Sequence, residues 1–143
     1  MRPDRLTIRL DNDLSEIAGV AEAVENFCSR QHAPAKTALH INLAIDELLT
    51  NTISYGFPDG GRHQIVLELA CQGDEIIIDL VDGATGFNPL EDAPPPDLVA
   101  PLRERRVGGL GVHLVKTVMD AVSYRREEDR NHLRLTKRFA AES

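Results

Sequence analysis

The chain has 143 residues and a mass of 15.8 kDa, which is room for one domain. Hydrophobic residues make up 42% and charged residues 27%, ordinary globular usage that excludes general disorder. The formal charge of −7 argues against non-specific nucleic-acid binding, and no apolar run approaches the ~18 residues of a membrane span.

The elements can be read in chain order. Leu6-Thr7-Ile8-Arg9-Leu10 alternates apolar and polar residues, the period of a half-buried strand. Asp11-Asn12-Asp13 supplies capping residues before an amphipathic helix carrying Leu14, Ile17, Ala21, Val24 and Cys28. Pro34 suits the first turn of a second helix that runs to about Tyr55, where Gly56-Phe57-Pro58-Asp59-Gly60-Gly61 breaks the chain. Ile65–Cys71 and Glu75–Val81 are rich in β-branched residues and joined across Gly73-Asp74, which predicts a β-hairpin.

Between Asp82 and Val107 the periodicity disappears, and five of the eight prolines fall from Pro89 to Pro101. A connection this long inside a compact domain is usually functional. Gly108-Gly109-Leu110-Gly111 then opens a third helix, expected from Val112 to about Met119. Strand-like runs around Val122–Tyr124 and Leu133–Leu135 flank a polar turn at Glu128–Asn131. The order β-α-α-β-β-loop-α-β-β predicts an α+β fold, with helices layered on one face of a mainly antiparallel sheet.

Charge and cysteine usage add two expectations. Residues 102–138 carry ten Lys/Arg against five Asp/Glu, while the rest of the chain is strongly acidic. This local bias suits a small anionic ligand or a solvated surface. Cys28 and Cys71 show no CxxC spacing, which predicts buried free thiols in a reducing compartment, the cytoplasm.

Three short patterns could carry chemistry. On the second helix Ile41, Ile45, Leu48 and Thr52 form the core stripe, and Glu47 and Asn51 share its edge. A carboxylate one turn from an amide can take a proton from a nucleophile and help hold a hydrated Mg²⁺; the plain alternative is a solvated pair. Asp82-Gly83-Ala84-Thr85-Gly86-Phe87 follows a strand, where an Asp can receive an exocyclic amine or simply make a turn. Glycines at the entrance of the third helix leave N–H groups and the positive end of the helix dipole for a phosphate, or act as a flexible lead-in.

In combination and order these stretches resemble the bacterial anti-sigma factor/serine-protein kinase family of the GHKL (histidine-kinase-like) ATPases. Asp46–Asn51 is similar to its N box, Asp82–Phe87 to its first glycine box and Gly108–Val112 to its second. The tail Leu114–Arg125 and the N-terminal strand and helix also resemble the family, so the likeness covers nearly the whole chain. It implies a single ATPase domain over residues 1–143: a two-layer α/β sandwich of the Bergerat type, with a mixed, mainly antiparallel sheet and an ATP lid at about 88–107.

The resemblance also implies roles. Glu47 matches the catalytic base that activates a substrate serine, and Asn51 the Mg²⁺ ligand. Asp82 matches the residue receiving the adenine amine, with Gly86 in the same box. Gly108, Gly109, Leu110, Gly111 and Val112 match the phosphate-facing backbone. The box usually reads Asp-x-Gly-x-Gly; here Ala84 takes the middle position, and Gly83 is expected to offer the lost backbone freedom. The implied function is a Mg·ATP-dependent serine-protein kinase and anti-sigma factor in a partner-switching circuit. Its partners would be an anti-sigma-factor antagonist of the STAS type, which it phosphorylates, and a sigma factor or other client; homodimerisation stays open. The alternative is a nucleotide-binding module that sequesters a partner without kinase activity. No nucleic-acid or membrane partner is expected.

Overall fold

The computed structural model describes residues 4–83, 88 and 108–141. Strand β1 (Asp4–Asp11) turns Leu6, Ile8 and Leu10 inward and Arg5, Thr7 and Arg9 to solvent, as its alternation predicts. The Asp13 side chain accepts from the Ser15 N–H and starts a 3₁₀ turn, Leu14–Glu16, that passes into helix α1 (Ile17–Arg30). Leu14 lies in that turn and stays 51% exposed. The buried stripe of α1 is therefore Val20, Val24, Phe27 and Cys28, rotated from the one expected. Pro34 is the N-cap of helix α2 (Ala35–Tyr55), which buries Ile41, Ile45, Leu48 and Thr52 as expected.

Strands β2 (Gln64–Gln72) and β3 (Glu75–Asp82) form the predicted hairpin, and Gly73 takes the left-handed conformation (φ 62°) that its turn requires. Helix α3 (Gly108–Val118) begins four residues earlier than expected: the glycines form its first turn instead of leading into it. First-turn N–H groups have no intrahelical acceptor in any case, so low helix propensity costs least there. Strands β4 (Ala121–Glu127) and β5 (Arg130–Arg138) close the chain as a second hairpin.

The sheet order is β1-β2-β3-β5-β4, and every described pairing is antiparallel. The mixed component expected of the sheet is thus not found among the described residues, because each neighbour pair runs in opposite directions. One face of β2, β3 and β5 is buried, with Ile65, Leu67, Leu69, Ile76, Ile78, Leu80, Leu133 and Leu135 each 2% exposed or less. The helices supply the opposing layer through Phe27, Ile41, Ile45, Leu48 and Val115, which gives the two-layer α+β architecture. Cys28 and Cys71 are both buried free thiols, and burial pushes Cys28 up to about 11.

Arg125 pairs with Glu127, Arg134 with Asp79 and Arg138 with Glu75. Much of the basic C-terminal hairpin is therefore neutralised locally, as a solvated surface would be.

The β4–β5 turn carries strain. Glu128 (φ 54°) and Asp129 (φ 60°) both occupy the left-handed region, the pattern of a two-residue type I′ turn. Non-glycine residues there cost roughly 1–2 kcal/mol each, least for Asp and Asn. Replacing Glu128-Asp129 by Asn-Gly is expected to raise the melting temperature by about 2–4 °C per kcal/mol recovered. Calorimetry showing no rise would mean that the turn relaxes in solution.

Candidate active site

The register of the sheet assembles one end of the molecule. Leu10 lies opposite Ile65, Ile65 opposite Asp82, Asp82 opposite Asn131, and Asn131 opposite Arg126. These five residues form the last row of the inner face, apolar on the β1 side and polar on the β4 side. Helix α2 ends in the loop that enters β2 at Gln64, so its C-terminal half, with Glu47 and Asn51, lies towards this end. Helix α3 leaves into β4 at Ala121, at the opposite end, so its N-terminus is directed to this one.

Glu47 and Asn51 meet as the helical spacing predicts. The Asn51 Nδ2 donates to Glu47 Oε1 at 2.9 Å. Asn51 is 3% exposed, whereas Glu47 is half-buried. Burial pushes the Glu47 carboxyl above its ordinary value, the Asn51 hydrogen bond lowers it, and the neighbouring Asp46 charge raises it again. A carboxylate with raised proton affinity is a better general base than a solvated one. The solvated-pair alternative does not hold for Asn51, which is in the core.

Asp82 is the last residue of β3, in step with Ile76, Ile78 and Leu80, so alternation turns its carboxylate inward, where it is 3% exposed. Its Oδ1 accepts from Asn131 Nδ2 at 2.8 Å. The Asn131 Oδ1 in turn accepts from Tyr124 OH at 2.5 Å and from Arg126 Nη1 at 2.9 Å. Buried polar groups are costly unless bonded, so this chain of contacts holds the carboxylate in place. Asn131, Tyr124 and Arg126 were not legible as site residues. The available signal was Asn131 itself, which is in step with inward-facing Leu133 and Leu135 yet polar.

Gly83 does not supply the expected backbone freedom. Among the described glycines only Gly60 and Gly73 have positive φ, and a Cβ at Gly83 would meet open space. Ala84 and Gly86 of the expected glycine box, and the expected lid at about 88–107 apart from Asn88, lie outside the described residues. Gly108, Gly109, Leu110, Gly111 and Val112 are the first five residues of α3. His113 and Lys116 are exposed further along it.

The donor set fits a nucleotide. A buried carboxylate at a strand end suits an exocyclic amine, a buried amide beside a carboxylate suits a hydrated Mg²⁺, and a helix N-terminus suits phosphate. A sequence profile of the histidine kinase-like ATPase domain matches residues 10–137. The chain belongs to this family.

The serine/threonine-protein kinase BtrW of Bordetella bronchiseptica is 32% identical over 120 residues, 84% of each chain. An anti-sigma F factor of Oceanobacillus iheyensis is 27% identical over 100 residues, 70% of this chain and 68% of its own. A serine-protein kinase RsbW of Listeria monocytogenes is 23% identical over 122 residues, 83% of this chain and 78% of its own. These relatives place the chain in the branch of anti-sigma factors and serine-protein kinases, and an ATP-using kinase agrees with them. A crystal structure of RsbU and RsbW domains from Mycobacterium tuberculosis superposes with a TM-score of 0.67 at 17% identity. That match covers 98% of this chain and 34% of the other, and establishes the same fold. No described helix is long and apolar enough to cross a membrane.

Proposed function

We propose that the protein is a Mg·ATP-dependent serine-protein kinase and anti-sigma factor that works by partner switching in the cytoplasm. The observation that carries this is the Glu47–Asn51 pair: a half-buried carboxylate of raised proton affinity, held by a buried amide one turn away. When bound, Mg·ATP supplies the transferable phosphoryl group and the positive charge that offsets it. Glu47 would take the proton of a substrate serine hydroxyl, whose oxygen would accept the γ-phosphoryl group as the β–γ phosphoanhydride bond breaks and ADP leaves. Asn51 commits its amide nitrogen to Glu47, which leaves its oxygen as the ligand for Mg²⁺. Asp82 receives the adenine amine, and the backbone of Gly108–Val112 faces the phosphates with the positive end of the α3 dipole.

The substrate is a serine on an anti-sigma-factor antagonist of the STAS type, and the client released or captured in exchange is a sigma factor or another protein. Phosphorylation breaks the complex with the antagonist, because a phosphate of charge about −1.5 to −2 disrupts an interface packed around a neutral serine. Incubation of the purified protein and its cognate antagonist with Mg·ATP should yield phosphoserine, and Asn51→Ala should lose both Mg-dependent ATP affinity and transfer.

A second reading rests on Ala84 together with Gly83, which is not left-handed and so does not compensate for it. If ATP and partner bind but no phosphoserine forms, the protein is a nucleotide-binding module that sequesters its partner.

A further inference from the structure

The polar half of the inner-face row does more than fill a sheet end. We propose that Asn131 is a positioning residue that sets base selectivity, holding the Asp82 carboxylate as a fixed acceptor for adenine, with Tyr124 and Arg126 locking the orientation of the Asn131 amide. This rests on the nucleotide reading of the site and adds to it the residues that make the site prefer adenine.

An asparagine amide has two chemically opposite ends of nearly equal size. Facing Asp82 with its NH₂ it donates; flipped, it would set two acceptors against each other. The flip is prevented because the Asn131 oxygen already accepts from two donors, Tyr124 OH and Arg126 Nη1. The arrangement depends on the tight β4–β5 turn, whose register puts Arg126 directly opposite Asn131 and Tyr124 on the diagonal. Asn131 is 2% exposed, so water offers no ready substitute for these partners.

A carboxylate fixed as an acceptor fits the exocyclic amine of adenine and opposes the O6 carbonyl of guanine. Without the Asn131 donor the carboxylate loses one of the contacts that fix its orientation, the bond now made at 2.8 Å, and presents a less aligned acceptor to the adenine amine. Selectivity then falls because ATP loses an aligned acceptor, a loss that GTP, with no amine at that position, does not share.

The test measures dissociation constants for Mg·ATP and Mg·GTP on the full chain by calorimetry. Asn131→Ala is expected to reduce the ATP-over-GTP preference by about tenfold or more, the scale of one buried hydrogen-bond partner. Asn131→Thr, whose hydroxyl can still donate to Asp82, should recover part of it. If Asn131→Ala does not fold, the surface-side double variant Tyr124→Phe with Arg126→Ala removes the lock while leaving Asn131 in place, and its preference should fall in the same direction. A purely structural role would lower the melting temperature and weaken both nucleotides alike. An unchanged ATP-to-GTP ratio in the folded variants overturns the proposal while the nucleotide site stands. A wild-type chain that binds neither nucleotide overturns both.

Discussion

Glu47→Gln is expected to cut serine phosphorylation by about 10²–10⁴-fold while ATP affinity is retained. Glutamine keeps the size of the side chain and an oxygen that can accept from Asn51 Nδ2, so the pair seen at 2.9 Å survives while the base is lost. Phosphoryl transfer depends mostly on positioning and charge neutralisation, and neither is removed, which is why activity falls without vanishing.

The same substitution should not lower thermal stability at neutral pH. The folded-state proton affinity of Glu47 is raised, chiefly by burial, so the folded chain holds this proton to higher pH than the unfolded chain. Stability contributed by the protonated carboxyl is then present at low pH and lost as pH rises through the raised folded value. Glutamine is neutral throughout and escapes that loss, so the melting temperature of the variant should equal or exceed that of the wild type above that range. A radiolabel assay with the cognate antagonist, paired with thermal melts, checks both halves. Phosphorylation at the wild-type rate would remove Glu47 as the base, whatever the melts show.

Asp82→Asn is expected to weaken Mg·ATP binding by about 10–150-fold, equivalent to ~1.5–3 kcal/mol. The new amide keeps its oxygen towards the Asn131 NH₂, the bond now made by Asp82 Oδ1 at 2.8 Å. Its own NH₂ is then turned to the base, where the adenine amine also donates. Two donors face each other, and the loss falls on binding while the fold is kept. Titration calorimetry with ADP and ATP measures it; equal affinity in wild type and variant would take Asp82 out of the site.

Much of the architecture was present in local pattern. Period-two alternation places β1, β-branched content places β2 and β3, the Gly73-Asp74 turn sets the first hairpin, and the 3–4 spacing of Ile41, Ile45 and Leu48 sets the buried face of α2. These features answer to burial of one face of one element, which neighbouring residues alone determine. The Glu47–Asn51 contact belongs to the same class, because four residues on a helix bring side chains together whatever surrounds them. The start of α3 and the rotated stripe of α1 were less legible, since glycines and a 3₁₀ turn carry little periodic signal.

Tertiary structure alone decided what holds Asp82. Asn131 is 49 residues away along the chain, and only the β3–β5 register sets the two opposite each other. Tyr124 and Arg126 join them through the left-handed turn at Glu128-Asp129, a conformation that neither residue advertises. It was likewise the backbone, and not the residue type, that denied Gly83 its expected role. Local pattern specifies which face of each element is buried, because burial is a property of one element against solvent. Which polar groups meet inside depends on register between strands distant in sequence, and that is fixed only when the whole sheet closes.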